Sequence, residues 1–327
     1  MAGRPKTGTI KLHNWRDFTK VMKIMGDGRW IFRGHKSVTY HLDSGLDRYI
    51  ADIVVARDKR RKKTDVESFA FTLPRAEHFA VANFRAKAHE FQGWTTNTSA
   101  LLAMQHYGAK TRLLDFTTSI MVALFFAYEE KMTGEERAIY AINYRRLIEQ
   151  SGWKGKYLDY ARQSGLEKRG DEETWWEIES QIDNYYFHKF MLEVAENNIN
   201  NGNGGGCKGI IPLYKVRFNG RQMAQSGIEL MPCTFDGFTK NLAAVFDVPV
   251  EDIYDPPDVD VRIGSVSKTP CEEILFPSSI IKLVFNVDME DDAWRMLDQA
   301  NVNAATIYPD IDGIAKSVRY NDRILGV

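Results

Sequence analysis

The sequence has few cysteines, almost no net charge and no long apolar segment, and each absence excludes a class of protein. Three cysteines occur among 327 residues, without metal-ligand spacing, and an odd number cannot all pair with one another. This favours a reducing, cytoplasmic location. The formal net charge of −1 excludes a uniformly basic nucleic-acid binder. No run approaches the roughly 18 apolar residues of a membrane-spanning helix, and no apolar segment follows the N-terminal charges, so neither membrane insertion nor export is expected.

The composition that remains is that of an ordinary globular protein. Hydrophobic residues make up 44% of the chain and charged residues 27%, so the chain can bury a substantial core. Strand-like and helix-like segments alternate along it, which predicts an α+β fold with a mixed sheet flanked by helices. We interpret residues 1–327 as a single domain.

Apolar periodicity and capping residues give the expected elements. The predicted strands are Ile10–Leu12, Trp30–Arg33, Arg112–Phe116, Ala138–Asn143, Leu213–Phe218, Gly227–Met231, Glu273–Phe276 and Ile281–Asn286. The predicted helices are Asn14–Met25, much of 42–95, Leu101–Tyr107, Ile120–Lys131, Asp291–Ala300 and Ile311–Arg319. Thr118 or Ser119 is placed to cap the helix that begins at Ile120.

Residues 150–206 are interpreted as an insertion on this core. The insertion ends in an Asn/Gly-rich segment, Asn197–Gly206, which has too little apolar surface to repay the entropy of ordering. It is therefore predicted to be a flexible loop. A basic run at Arg57–Lys63 is interpreted as a solvated face, with attraction of a polyanion as the alternative.

Three short segments, far apart in the sequence, place polar groups beside apolar strand-like runs. They are Trp30–His35, Phe116–Ser119 and Cys271–Pro277. Read in order, they supply an arginine, hydroxyl groups and a glutamate. These groups suit a pocket that holds a dinucleotide by its phosphate and ribose while a glycosidic bond breaks.

These residues resemble the FRG domain family, named for a Phe-Arg-Gly motif. The resemblance rests on Trp30–His35, Gln105–Gly108, Thr111–Thr117, Ala123–Ala127, Arg221–Gly227 and Ala305–Gly313. It runs from about residue 9 to about residue 319 along these motifs. The block around Thr111–Thr117 is the most specific part, because Phe-Arg-Gly alone is a common tripeptide.

A more distant resemblance connects the same segments with the arginine-serine-glutamate ADP-ribosyltransferases. The Arg33, Thr117–Ser119 and Glu273 segments are similar in type and order to the three motifs of those enzymes. The resemblance implies an NAD-binding cleft in the mixed sheet, with NAD as substrate. It also implies ADP-ribose transfer by a toxin or anti-phage defence effector, with an antitoxin as a candidate inhibitory partner.

The chemistry assigns a role to each of the main residues. Breaking the bond between nicotinamide and ribose passes through an oxocarbenium-like state, which a carboxylate stabilises, and Glu273 is the candidate. The permanently charged fork of Arg33 suits a diphosphate. Gly34 lets the backbone approach the nicotinamide amide closely. No metal site is expected.

The remaining candidates are supporting groups. His35 is placed to reach a phosphate or a ribose hydroxyl. Hydroxyl side chains before the helix at Ile120 are placed to orient Glu273 or Arg33, and an aromatic ring is expected to stack on nicotinamide. The hydroxyl candidates are Thr117, Thr118 and Ser119, and the aromatic candidates are Tyr107 and Phe125.

Each main assignment has a structural alternative. Arg33 can be a strand residue paired with Asp115, the hydroxyls can be helix caps only, and Glu273 can belong to a solvated strand edge. At the level of function, the alternatives are a non-catalytic nucleotide or nucleic-acid binding module and an NAD glycohydrolase. Cys271 stands where transferases that modify protein arginine carry Glu or Gln, so the expected acceptor is another group: another protein side chain, a nucleobase or a small molecule.

Overall fold

The computed structural model describes residues 6–26, 29–58, 72–88, 90, 96–130, 134–163, 185–201, 209–214, 224–259 and 278–318. Within them, seven strands form one mixed sheet in the order β1-β7-β4-β2-β3-β6-β5. The strands are β1 (Thr7–Leu12), β2 (Trp30–His35), β3 (Leu114–Thr117), β4 (Arg137–Asn143), β5 (Ile210–Tyr214), β6 (Gly227–Pro232) and β7 (Ile280–Phe285). The predicted α+β class with a mixed sheet is confirmed.

Most neighbouring strands in this sheet are antiparallel. The outer strand β1 runs parallel to β7, while β7 and β4, β4 and β2, β2 and β3, β3 and β6, and β6 and β5 are antiparallel. The interior strand β4, which lies between β7 and β2, is buried along its whole length. Its sequence, Arg-Ala-Ile-Tyr-Ala-Ile-Asn, is nearly continuous in apolar residues, as expected for a strand covered on both faces.

Helices cover both faces of the sheet, and each face has its own apolar core. The helices are α1 (Trp15–Met25), α2 (Gly45–Asp58), α3 (Leu73–Ala88), α4 (Asn97–His106), α5 (Ile120–Tyr128), α6 (Tyr144–Gln150), α7 (Trp153–Gln163), α8 (Tyr185–Asn201), α9 (Phe238–Phe246), α10 (Glu251–Tyr254), α11 (Glu290–Gln299), α12 (Ala304–Ile307) and α13 (Ile311–Ser317). Because side chains alternate along a strand, Ile31 joins the core under α4 and α8, whereas Phe32 joins the core under α1 and α5.

Helix starts follow the capping rules that the sequence indicates. The Asn14 side chain accepts from the Asp17 N–H at the start of α1. The Ser119 hydroxyl accepts from the Val122 N–H at the start of α5. A side-chain acceptor at the N-cap satisfies one of the free N–H groups of the first turn. The prediction of a cap before Ile120 is therefore confirmed for Ser119.

The predicted flexible loop at Asn197–Gly206 begins later than expected, because residues 197–201 form the last turn of α8. Residues 197–201 are helical despite the Asn-rich composition because two of their side chains are buried. Ile199 is buried in the core, and the buried Asn198 side chain donates to the Cys233 carbonyl at 3.0 Å. The rest of that segment lies outside the described residues. The interpretation of 150–206 as an insertion stays a prediction.

Two further features bear on the expectations from composition. Cys233, buried just after β6, is disulfide-bonded, a pairing that the expectation of a reducing compartment did not include. In the described part of the chain, no helix has both the length and the apolar character needed to cross a membrane.

Candidate functional site

The sheet opens between β2 and β3. A single residue pair, Phe32 with Thr117, joins these two strands, whereas six pairs join β2 to its other neighbour, β4. Beyond Phe32, β2 continues through Arg33 to His35 without a ladder to β3. The strands therefore separate on this side of the pair, and the opening is lined by the motif that the sequence singled out.

The Arg33 side chain spans this opening. Its Nη1 donates to the backbone carbonyl of Asp115 on β3 at 2.6 Å, and its Nε donates to Nε2 of His35 at 3.1 Å. The residue keeps some exposed surface, but its guanidinium is enclosed, and this burial lowers the pKa of Arg33 while the charge of Asp115 opposes the shift. An arginine remains charged even so. The opening thus holds a fixed positive charge.

His35 holds Arg33 in place and is itself neutral. The Arg33 Nε–H can only donate, so Nε2 of His35 must be the acceptor. The proton then sits on Nδ1, which lies 3.1 Å from the Tyr40 carbonyl and donates to it. Burial and the charge of Arg33 lower the pKa of His35 to about 3. Both ring nitrogens are occupied by protein groups, so the structure does not present His35 to a phosphate as predicted.

This histidine makes folding stability depend on pH. Its pKa is about 3 in the folded protein and near 6.5 in an unfolded chain, so between these values the unfolded state binds the extra proton. Stability is then complete above about pH 6.5 and falls at lower pH by about 1.4 kcal/mol per unit. Urea unfolding of the wild type is expected to show little change in stability near pH 7 and a loss that approaches this slope toward pH 5.

The His35→Gln variant isolates that contribution, because glutamine offers an acceptor near Nε2 and does not titrate. Its stability is expected to fall less steeply than that of the wild type over the same pH range. Equal slopes for the two proteins would show that His35 is not held neutral by the fold.

Gly34 is required by the packing of α5 on β2. A Cβ at this position would lie 1.9 Å from the Ala123 carbonyl oxygen and 2.8 Å from the Ala127 nitrogen. The helix backbone therefore rests directly on the strand at the point where a side chain is missing. The predicted approach of Gly34 to a nicotinamide amide is not needed to explain this glycine.

A cavity of about 840 Å³ occupies the opening, a size typical of small-ligand sites. Its lining comprises Phe32, Arg33, Gly34, His35, Lys36, Thr39, Tyr40, His41, Asp43, Arg48, Gln105, His106, Asp115, Phe116, Thr117, Phe126, Glu129, Glu130, Gln225, Gly227 and Tyr308. Residues from both faces of the sheet contribute, because Gln105 belongs to α4 on one face and Phe126 to α5 on the other. The cavity thus passes through the gap between β2 and β3.

Of the predicted hydroxyl residues, Thr117 lines the cavity and the other two do not. The Thr117 hydroxyl donates to the Gln225 carbonyl at 2.8 Å and accepts from the Ser119 N–H at 3.1 Å. The Thr118 N–H donates to the Ser226 carbonyl, and Ser119 caps α5. These hydroxyls shape the turn from β3 into α5, as the structural alternative proposes.

The two predicted aromatic residues lie away from the cavity. Tyr107 follows the last turn of α4 and is 65% exposed. Phe125 is 1% exposed, in the core beside Phe126, so neither ring faces a ligand in the opening. The rings that do line the cavity on this side are Phe126 and Tyr308. Tyr308 is held by a hydrogen bond from its hydroxyl to Glu129 at 2.8 Å.

Asp115 does not form the predicted ion pair with Arg33. Arg33 bonds the Asp115 carbonyl, whereas the Asp115 carboxylate accepts from the Gln105 amide at 2.7 Å. Gln105 in turn accepts from the Thr111 hydroxyl at 2.5 Å. Arg112 forms a buried ion pair with Glu77 on α3 at 2.8 Å. The block 105–115 therefore fixes α4 against β3.

The candidate carboxylate Glu273 lies outside the described residues, with Glu272 and Cys271. Arg57–Lys63 lies outside them too, except for its first two residues at the end of α2. Among the described residues, no group of three or more His, Cys, Asp or Glu side chains is arranged to hold a metal ion.

Comparison with known proteins adds one finding. Residues 28–136 match the model of the FRG domain, whereas no curated protein and no solved structure matches the chain. All but three of the cavity-lining residues fall within the matched segment, the exceptions being Gln225, Gly227 and Tyr308. The match to the FRG domain therefore covers residues 28–136 and most of the residues that line the cavity.

Proposed function

We propose that this protein is an NAD-dependent ADP-ribosyltransferase that acts as a toxin or anti-phage defence effector and modifies a macromolecule. The observation that carries the proposal is the Arg33 guanidinium fixed in an opening of the sheet, inside a cavity of about 840 Å³. A dinucleotide needs such a cavity with a fixed cation for its phosphates. Thr117 lies at the same opening, in keeping with the order of motifs in the sequence.

Arg33 has the donors that a diphosphate needs. Two of its nitrogens are engaged with protein acceptors, and among the described residues none accepts from Nη2. Because the other two contacts fix the plane of the guanidinium, the remaining N–H groups have a defined direction. A preoriented donor loses less entropy on binding than a mobile one.

The aromatic side of the cavity suits the nicotinamide ring. Phe126 and Tyr308 line it, with ring centroids 6.4 Å apart and planes inclined at 71°. Such rings bind flat, electron-poor ligands well. In this proposal they take the place that the sequence assigned to Tyr107 and Phe125.

Glu273 is proposed to stabilise the oxocarbenium-like state as the bond to nicotinamide breaks. The Glu273→Gln variant is expected to bind NAD normally while releasing nicotinamide on the order of 100-fold more slowly. The measurement is nicotinamide release by chromatography, beside NAD binding by calorimetry. Glu272→Gln, with the same chemical change one residue away, is the matched control and is expected to retain activity.

The outcomes separate this proposal from its alternatives. A wild type that binds NAD but releases no nicotinamide under any condition is a binding module. Release that does not depend on an acceptor identifies an NAD glycohydrolase. Equal losses in Glu272→Gln and Glu273→Gln would contradict the assignment of the carboxylate.

The acceptor is tested directly by incubating the protein with NAD labelled in its ADP-ribose part and with separate protein, RNA and DNA fractions. We expect the label to appear in a macromolecular fraction, on a group other than the arginine side chains of proteins. The reason is that Cys271 stands where arginine-modifying transferases carry the Glu or Gln that engages the acceptor.

A further inference from the structure

We infer that Arg33 and Arg48 together form an anion subsite that takes the diphosphate group of a nucleotide. The inference rests on the proposed function and deepens it, because it adds a second binding residue from a segment without a recognised motif. Arg33 comes from β2 and Arg48 from the first turn of α2. Both line the same cavity.

Arg33 has no carboxylate within ion-pair distance among the described residues, and the charge of Asp115 acts on it from farther away. Its two hydrogen bonds go to a backbone carbonyl and to a histidine nitrogen. Both acceptors are neutral, since His35 is held in its uncharged form. An enclosed cation usually pairs with an anion, because desolvation of a charge is unfavourable unless it is compensated.

Arg48 is in a similar position. Its Nη1 donates to the backbone carbonyl of Asp43 at 2.5 Å, and no carboxylate of the described residues lies within ion-pair distance. Its charge contributes to lowering the pKa values of Arg33 and of His35. Arg48 therefore acts electrostatically on Arg33 and His35, and it lines the same cavity as they do.

Three of the carboxylates that line the cavity have hydrogen-bond or ion-pair partners within the protein. The Asp115 carboxylate accepts from Gln105, Glu129 accepts from Tyr308, and Glu130 pairs with Lys36. Burial and the neighbouring Asp47 raise the pKa of Asp43, while the charges of His41 and Arg48 oppose the shift. Among the described residues, neither guanidinium group has a carboxylate within ion-pair distance, and both donate to backbone carbonyls.

The chemistry of two guanidinium groups that line one cavity selects the ligand class. Each presents a planar fork of donors that suits phosphate oxygens. A diphosphate has enough oxygens to accept from both, and its charge would relieve the repulsion between them. A neutral ligand would leave that repulsion in place.

The test uses inorganic pyrophosphate and ADP-ribose as probes, measured by calorimetry in low salt. Arg48→Ala is expected to weaken both about tenfold or more, because it removes charge-assisted hydrogen bonds. Arg48→Lys, which keeps the charge and loses the fork, is expected to be intermediate. Arg295→Ala is the matched control, since Arg295 is exposed, lies on α11 and pairs with Asp292 away from the cavity. Its affinities are expected to match those of the wild type.

Arg33→Ala is expected to lose more than Arg48→Ala, and its thermal unfolding is measured beside binding because the Asp115 carbonyl loses its donor. Arg48 is exposed, so its variant tests the inference even if Arg33→Ala fails to fold. Unchanged affinity in Arg48→Ala, or no pyrophosphate or ADP-ribose binding by the wild type, overturns the subsite.

The two proposals fail in different ways. If pyrophosphate binds through both arginines while NAD is neither bound nor cleaved, the subsite stands and the transferase proposal falls. If NAD is bound and cleaved equally well by Arg48→Ala, the subsite falls and the transferase proposal stands.

Discussion

Replacing Gly34 by alanine is expected to prevent stable folding or to lower the free energy of unfolding by at least about 3 kcal/mol. The added methyl carbon would stand 1.9 Å from a backbone oxygen of α5 and 2.8 Å from a backbone nitrogen of the same helix. Backbone atoms cannot rotate away as a side chain does, so the whole helix must move off β2. That movement would also disturb the core between α5 and the sheet.

Gly155→Ala is the matched control for this change. Gly155 lies in α7, and a Cβ there would meet no atom within 4 Å. Since alanine favours a helix over glycine by about 1 kcal/mol, this variant is expected to be as stable as the wild type or slightly more so. Thermal and urea unfolding of both variants provide the measurement. A Gly34→Ala protein with wild-type stability would show that α5 does not pack on β2 as described.

Removing the buried carboxylate of Glu77 is expected to cost about 3–5 kcal/mol of folding stability. Glu77 and Arg112 form an ion pair at 2.8 Å, with side chains only 8% and 2% exposed. Glu77→Ala leaves the Arg112 guanidinium enclosed without its counter-charge. Its remaining contacts, the Pro232 carbonyl and the face of Phe235, are neutral. Burial raises the pKa of Glu77 despite Arg112, so desolvation of the pair is substantial.

The exposed pair of Arg162 and Asp159 serves as the comparison. It joins the same kinds of groups at 3.2 Å, but both side chains are largely in solvent. Asp159→Ala is therefore expected to change stability by less than about 1 kcal/mol. Urea unfolding of Glu77→Ala and Asp159→Ala measures the two changes in stability. Similar small decreases in the free energy of unfolding would mean that the pair of Glu77 and Arg112 is not enclosed.

Much of the fold was predictable because its elements carry strong local signals. The apolar run around Tyr140 predicted the buried strand β4, and Asn14 and Ser119 marked the starts of α1 and α5. Helix α9 was missed, since Gly237 precedes it with no side-chain cap. Likewise, α8 extends through an Asn-rich segment because Asn198 and Ile199 are buried by contacts from distant parts of the chain.

The candidate site was predictable in its motifs but not in the directions of its side chains. Helix α5 is apolar all round, so its periodicity could not show that Phe126 lines the cavity and Phe125 lies in the core. Tyr308 comes from a segment whose place is set by tertiary packing. Arg48 had no motif to mark it. For Arg33, sequence suggested a pairing with Asp115, and only the geometry shows that the backbone carbonyl is the acceptor.

The single pair between Phe32 and Thr117 has a mechanical consequence. Four strands on one side and three on the other each form a continuous ladder, and between them β2 and β3 meet at one point. Where the ladder is missing, the bond from the Arg33 guanidinium to the Asp115 carbonyl connects the two strands. A ligand that draws the guanidinium toward itself would therefore compete with a contact that joins β2 to β3.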